Sequence, residues 1–487
     1  MIGKAEGLTQ EVASFIVNTT YRDLPTETVR LAKRSLIDGI GVTLAGSTEP
    51  VSVIVRKYLE NIGGNPESTV IGSKLRVPAP AAALANGVGG HAQDFDDTQL
   101  SSSPDRIYGL LLHPTPPVLA AAFAIGETLG IDGEGLLTAF SLGLEAECKI
   151  ADAIHPFHYM RGFHTTGTIG AFGAAAAIGK LLGLTEEKMC YALGIVASMS
   201  GGIRANFGSM TKPFHAGRAA ENGVVAGRLA QLGFTADPRI LENPFGYFKI
   251  LGGDFSATDS RIVENPLWGY GKTLQAGFDL DRISGKLGNP YSIVDPGISV
   301  KPYPSVVLSH PSMNALLDLV KEHDIKPENV DEVHLFAGAN VVNILYAFPK
   351  TGTEGKFSLR FCLAAILLRR RAGLKDFTDE FVRSPAAQEM MKRIRISLDP
   401  EIEAAGYAKI QSRIEVRLKD GRILRKDSGP YRGGPENPLS ETELEEKFSG
   451  CAELALPPAK VSRLLRLLKE IETVKDIKIL IPELLPD

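Results

Sequence analysis

Thr165–Leu184 reads TTGTIGAFGAAAAIGKLLGL, the most apolar long stretch of the chain. Twenty such residues either cross a membrane or pack inside a protein, so their reading decides the fold. Glycine and alanine make up half of the stretch, and Lys180 interrupts it. Small side chains let neighbouring helices approach closely, which predicts a packed helix in a compact bundle rather than a membrane span. The same character extends outward. Ala79–Gly90 is mostly alanine and glycine, and Glu27–Ala45 and Pro117–Leu129 place apolar residues three and four apart. Up to about residue 275 the pattern is therefore helical, with Gly or Pro between segments.

The composition fits a soluble folded chain. Its 487 residues carry 53 Lys+Arg against 57 Asp+Glu, a net charge of −4, and 44% are hydrophobic. Such a length predicts two or more domains with sizeable cores. The near-neutral balance argues against a nucleic-acid partner, which selects a concentrated basic excess. The N-terminal stretch lacks the charged start and apolar block of a signal peptide, so a cytoplasmic location and no membrane partner are expected. Four cysteines, at positions 148, 190, 362 and 451, lie far apart with no C-x-x-C. That spacing removes zinc ribbons and gives no sign of a disulfide framework.

The character changes near residue 275. Leu287–Ser305 is rich in Pro, Gly and Ser, and Val330–Phe336 (VDEVHLF) then alternates like a half-buried strand. Arg413–Leu418 alternates again, Asp420-Gly421 supplies a turn, and Arg422–Lys426 returns, a strong hairpin signal. Its basic side chains read as a solvated face in preference to a binding patch. Helical patterning resumes in Glu441–Cys451 and Val461–Ile471. The expectation is a mainly α chain with an α+β lid: a helical domain over 1–276, an inserted α+β domain over 277–437, and helices over 438–487 that return to the first part.

Three clusters could carry chemistry. In His91-Ala-Gln-Asp94-Phe-Asp96-Asp97-Thr98, three carboxylates share one short segment. Charges this close need a nearby cation or a raised pKa, although Asp and Thr are also ordinary at helix ends. The second, His155-Pro-Phe-His158-Tyr-Met-Arg161-Gly-Phe-His164, holds three of the nine histidines. No third metal ligand at helical spacing accompanies His-x-x-His, so the cluster reads as catalytic or anion-binding and no metal is expected. In the third, Lys212, His215 and Arg218 recur at three-residue steps that a helix would align roughly along one face. A solvated basic stripe is the competing reading, but Ala219, Ala220 and Gly223 point to a buried setting where charges need partners. His113, before a helix, and Lys301, Tyr303 and His310, from the second domain, could face the same cleft. His323 and His334 read as structural. No dinucleotide fingerprint, phosphate loop or nucleophile elbow is present, and the cysteines are too dispersed for an iron–sulfur cluster. Side chains alone must supply the chemistry, with no cofactor.

These motifs, His91-Ala-Gln-Asp94-Phe-Asp96-Asp97-Thr98, His113-Pro, Gly162-Phe-His164, Lys212-x-x-His215-x-Gly-x-Ala-Ala and Lys301-x-Tyr303-Pro, occur in an order that resembles the MmgE/PrpD family. That family includes 2-methylcitrate dehydratases, cis-aconitate decarboxylases and iminodisuccinate epimerases. The likeness runs from about residue 8 to the C-terminus. It implies a helical domain, a smaller α+β lid, a cofactor-free site between them and a homodimer. It also implies active-site roles for Asp94, Thr98, His113, His164 and Lys212, with His310 from the lid. Two departures touch the motifs. The segment between Thr98 and His113 is longer than the decarboxylase and epimerase pattern, and Phe361 stands where the family often has Tyr.

Family substrates are di- and tricarboxylates, which require local cations. Lys212, Arg161, Arg218 and Lys301 are the expected binders, supported by His91, His215, Tyr303 and His310. The reaction expected is dehydration of a 2-methylcitrate-like hydroxy acid by side-chain acid and base groups. Decarboxylation and epimerisation use much the same set, because each passes through or near a carbanion. A non-catalytic carboxylate-binding scaffold is the alternative of another class. Retention of Asp94, Thr98, His113, His164 and Lys212 together argues against it.

Overall fold

The computed structural model describes residues 7–99, 112–154, 157–252, 277–342, 344–405 and 410–487. His155 and most of the long segment after Thr98 lie outside these residues. The fold is mainly α with a smaller α+β part.

The apolar stretch that opened the sequence forms a short turn, Thr165–Thr168, and then the helix Gly170–Leu181. That helix is buried from Gly170 to Gly179 and packs against the helices Thr115–Leu129, Gly133–Ile154 and Thr211–Gln231. No helix of the described residues is long and apolar enough to cross a membrane. Phe172 is fully buried in a core with Ile150, Ile154 and Leu193. Burying such a side chain contributes about 1.5–3 kcal/mol.

Small residues set the helix spacing where it matters for the site. A Cβ on Gly217 would lie 2.4 Å from the Leu84 carbonyl oxygen, and one on Gly87 would lie 2.8 Å from Gly217 Cα. The helices Ala79–His91 and Thr211–Gln231 therefore touch backbone to backbone. This contact brings the end of the first, at His91, to the start of the second, at Lys212.

The C-terminal helices Glu441–Ala452 and Pro458–Lys469 lie on the helix Thr26–Ser47. Ser440 caps the first of them with a reciprocal Glu443 bond. Leu444, Phe448, Leu464 and Leu468 share one core with Leu36, Ile40 and Phe123. Lys447 crosses to Asp38 at 2.6 Å, a buried ion pair. The stretch 277–300, expected in the lid, gives Ile283, Tyr291, Ile293 and Val300 to the helical cores. Its short apolar fragments between prolines are long enough to plug gaps between helices, but too short for a core of their own.

The α+β part has its own core, running from Tyr303 to Leu418. Its four-stranded sheet has the order Ile394–Leu398, Val330–Ala337, Ser412–Leu418, Ile423–Asp427. The first pair is parallel and the other two are antiparallel. Val333, Leu335 and Ala337 point inward as the alternation predicts. The hairpin turns at Gly421, whose φ of 91° suits glycine. Its basic residues meet carboxylates at the surface: Arg413 on Asp427, Arg425 on Glu415, Lys426 on Glu322. They are a solvated face.

Candidate active site

The helix Ala79–His91 ends by turning through Asp94, which adopts φ 51°. An L residue in that left-handed conformation is strained by roughly 1–2 kcal/mol. Such strain marks positions where a side chain must be aimed. Beyond the turn, Thr98 pairs with Ser299 through N–H···O bonds of 3.0 and 2.8 Å, and Gln99 pairs with Leu112. This pairing fixes the acidic segment against the chain that carries Lys301.

Each carboxylate of the segment then finds a different partner. Asp94 receives Lys212 on Oδ1, and Lys301 lies 3.2 Å from Oδ2. Lys301 also donates to the Asp94 carbonyl at 2.9 Å. Burial alone would raise the Asp94 pKa, but the two ammonium groups outweigh it and hold the carboxyl well below its usual range. Asp96 Oδ2 accepts from His91 Nδ1 at 2.8 Å and lies 3.0 Å from His113 Nδ1, whose hydrogen bond goes to the Asp97 carbonyl at 2.9 Å. Burial again opposes ionisation, and the two imidazoles overcome it. Asp97 accepts from the Thr115 hydroxyl at 2.6 Å and the Thr115 N–H at 3.2 Å. With no cation on it, burial pushes its pKa up to about 7. Both remedies for crowded carboxylates occur within four residues.

Four histidines form a continuous array. The His91 ring packs edge-on to His113 at 4.6 Å and stacks near His164 at 5.6 Å, and His164 Nδ1 meets His215 Nδ1 at 2.9 Å. Burial pushes His91 down to about 3 and His215 to about 4, and lowers His113 and His164 as well. These imidazoles are therefore neutral at neutral pH.

A cavity of about 290 Å³ opens over this array. That is near the small end of ligand pockets, roughly 300–1,000 Å³. Asp94, Thr98, His113, His164, Lys212 and Lys301 line it together. Much of the remaining lining is apolar, including Phe207, Val306, Val307, Leu308, Leu345 and Phe357, and the Phe207 and Phe357 rings each lie 5.3 Å from Lys212 Nζ. His91 and His215 sit behind His113 and His164, in contact with them, rather than on the wall.

Other expected binders are elsewhere. Arg218 is exposed and pairs with Glu221. Each three-residue step falls about 60° short of a full helical turn, so two steps swing Arg218 about 120° from Lys212. Arg161 is also exposed and does not line the cavity. Tyr303 and His310 are buried against each other, ring centroids 5.3 Å apart, and neither lines the cavity. Tyr303 belongs to the lid core, and His310 Nε2 bonds the Ser305 carbonyl at 3.2 Å. His158 bonds Thr168 and stacks on Phe163, a structural role. Phe361 lies in the lid core against Phe377 and Phe381, away from the site; Phe357 lines it instead.

Sequence reasoning missed Arg204, which lines the cavity with its guanidinium 3.7 Å from the Tyr159 ring. Backbone pairing of Arg204 with Gly162 and of His164 with Gly202 brings it there. The only signal in the chain is Gly201-Gly202, two residues that permit such close pairing. Lys356 was missed too. It is buried, donates to Gln93, and burial pushes its pKa down to about 8.

Donor atoms of His91, Asp94, Asp96 and His113 lie within 4.8 Å of one another, a spacing a divalent cation could bridge. The positive charge such an ion would bring is already supplied. Two ammonium groups sit on Asp94, and both imidazole Nδ1 atoms face Asp96. The two ammonium groups beside Asp94 would repel such an ion.

Comparison with known proteins gives the arrangement a lineage. A human cis-aconitate decarboxylase is 28% identical over 98% of this chain and 94% of its own. The mouse cis-aconitate decarboxylase is 27% identical over 98% and 93%, and that of Aspergillus terreus is 26% identical over 97% and 94%. The MmgE/PrpD N-terminal domain matches residues 10–259 and the MmgE/PrpD C-terminal domain matches residues 303–473. With most of its length matched by the two domains, the chain belongs to the MmgE/PrpD family.

Proposed function

We propose that this protein is a cofactor-independent lyase that decarboxylates a cis-aconitate-like unsaturated tricarboxylate. The observation that carries the reading is one small cavity lined by Lys212 and Lys301 together with largely apolar side chains. In such a substrate the departing carboxylate hangs from a CH₂ group beside a carbon–carbon double bond. Breaking that C–C bond releases CO₂ and forms a new double bond, while the old one shifts its electron pair to the far alkene carbon. That carbon, which carries another carboxylate, then takes a proton. The ammonium groups hold the retained carboxylates and stabilise the developing negative charge, where fixed cations in a dry site are most effective. The apolar part of the lining desolvates the departing carboxylate and accepts neutral CO₂. One proton is consumed per turnover. His113, lining the cavity, is the group assigned to deliver it, because three incoming carboxylates favour its protonated form.

The dehydration expected from the sequence draws on the same groups. Decarboxylation is preferred because the apolar part of the lining suits the release of neutral CO₂. The names of the relatives agree with that preference. Incubation with cis-aconitate, citrate and 2-methylcitrate in chelator-treated buffer, followed by NMR of products and CO₂ trapping, tests it. CO₂ with an exomethylene dicarboxylate is expected. An alkene without CO₂ would transfer the protein to the dehydratases, and no turnover or thermal stabilisation by any of the three acids would overturn the reading. A homodimeric state and a cytoplasmic location belong to the same proposal; light scattering and cell fractionation test them.

A further inference from the structure

Asp96 is fully buried, does not itself line the cavity, and spends one oxygen on two imidazoles. The consequences for His113 are specific. Its Nδ1 faces two acceptors, Asp96 Oδ2 at 3.0 Å and the Asp97 carbonyl oxygen at 2.9 Å. A carbonyl cannot donate, so Nδ1 carries the hydrogen and the lone pair is on Nε2. We infer that Asp96 is the positioning residue of the reaction: it fixes His113 with Nε2 as the proton-carrying atom and stabilises the imidazolium formed there. The inference rests on the decarboxylase reading above for what His113 does, but not for how Asp96 holds it.

The second arm adds to the argument. His91 reaches the same oxygen from the end of the Ala79–His91 helix, and its ring packs on both His113 and His164. Asp96 thus anchors one imidazole on the wall and one directly behind it. The charged and titratable groups around this pair are Asp94, Asp97 and Asp38, and Lys212 and Lys301. The lysines oppose an imidazolium at His113, and Asp96 is the carboxylate in direct contact that favours it. When Nε2 takes a proton, the positive ring remains hydrogen-bonded to a carboxylate. The proton then passes to the substrate carbon as the C–C bond electrons move to the new double bond, and His113 returns to neutral. This is the logic by which an aspartate orients a catalytic histidine in hydrolytic triads.

The substitution Asp96→Asn keeps the shape and removes the charge. With its amide oxygen in the place of Oδ2, the asparagine still faces both Nδ1–H groups, so the tautomers are kept and only the charge that stabilises an imidazolium at His113 is lost. Turnover of cis-aconitate is expected to fall by roughly 10²–10⁴-fold, with KM changed by less than about threefold. A folded variant whose kcat stays within threefold of the parent overturns the inference, as does a loss confined to KM. The second measurement needs no substrate and no variant activity. Nitrogen-15 NMR of histidine-labelled parent protein reports the tautomer of each ring, with His113→Gln and His91→Gln identifying the signals. His113 and His91 are expected as Nδ1–H tautomers, and an Nε2–H signal from His113 overturns the inference. Failure of the protein to decarboxylate cis-aconitate with the expected tautomers present would instead reject the function and leave the anchoring role intact.

Discussion

Replacing Asp97 with asparagine should stabilise the protein at alkaline pH and leave it nearly unchanged in acid. Asp97 is 1% exposed, has Thr115 as its hydrogen-bond partner, and shares its surroundings with Asp38 and Asp96. Burial and those two like charges favour the protonated form, raising its pKa from 3.8 to about 7. The sign follows from proton counting. Below pH 4 both folded and unfolded chains hold the proton and nothing is lost. Between about 4 and 7 the unfolded chain releases it while the folded chain keeps it, so stability falls as pH rises; above 7 the loss is constant. About three decades of difference correspond to about 4 kcal/mol. Asparagine carries no charge at any pH and fits the same contacts, with Thr115 accepting from the new amide. Urea denaturation of parent and Asp97→Asn from pH 4 to pH 9 measures the difference. The variant should gain at least about 2 kcal/mol over the parent between the two ends. A difference that does not change with pH would show that Asp97 ionises normally inside the protein, and would refute the reasoning.

Lys212→Ala and His164→Ala should each lower turnover by roughly 10²-fold or more with the fold retained, because both side chains line the cavity. A lowered melting temperature with unchanged turnover per folded molecule would assign either residue to structure alone. Gly217→Ala should destabilise by roughly 1–3 kcal/mol, since its methyl group would meet the Leu84 carbonyl at 2.4 Å. Calorimetric melting measures the loss, and turnover should fall with it as Lys212 is drawn from Asp94. Phe361→Tyr should bury a hydroxyl in the lid core and lower stability by about 1–3 kcal/mol without altering kinetics. A gain in activity would place position 361 in the site after all.

How much was legible in the chain depended on the distance over which each feature is decided. Helices built from Gly and Ala and the Asp420-Gly421 hairpin are settled by local periodicity and turn chemistry, and they stand in the structure as read. The acidic segment was legible as a problem in electrostatics: crowded carboxylates demand cations or protons, and Asp94, Asp96 and Asp97 use both. Which carboxylate takes which remedy was not legible, because Lys212 is 118 residues from Asp94 and Lys301 is 207. Arg218 shows the opposite failure. A local rule suggested one face, and the drift of a 3.6-residue turn carried the third residue to solvent. Arg204 and Lys356 belong to no motif, since a backbone pairing and the lid contact place them.

The lid and the bundle meet through charge, and on the proposed function that meeting prepares a chain of net charge −4 for a trianion. Lys212 comes from the helical part and Lys301 from the segment leading into the lid, and Asp94 accepts both. Two buried ammonium groups without a carboxylate would repel each other and lose their hydration, an arrangement of several kcal/mol per ion. Asp94 removes that difficulty by pairing with both. It holds the two cations together, one at each oxygen, so less rearrangement would be needed when a carboxylate ligand enters. An incoming polycarboxylate then shares ammonium groups that are already aimed and already dry. The strained turn at Asp94 is consistent with this role, because the same φ that strains the backbone points its carboxylate between the lysines.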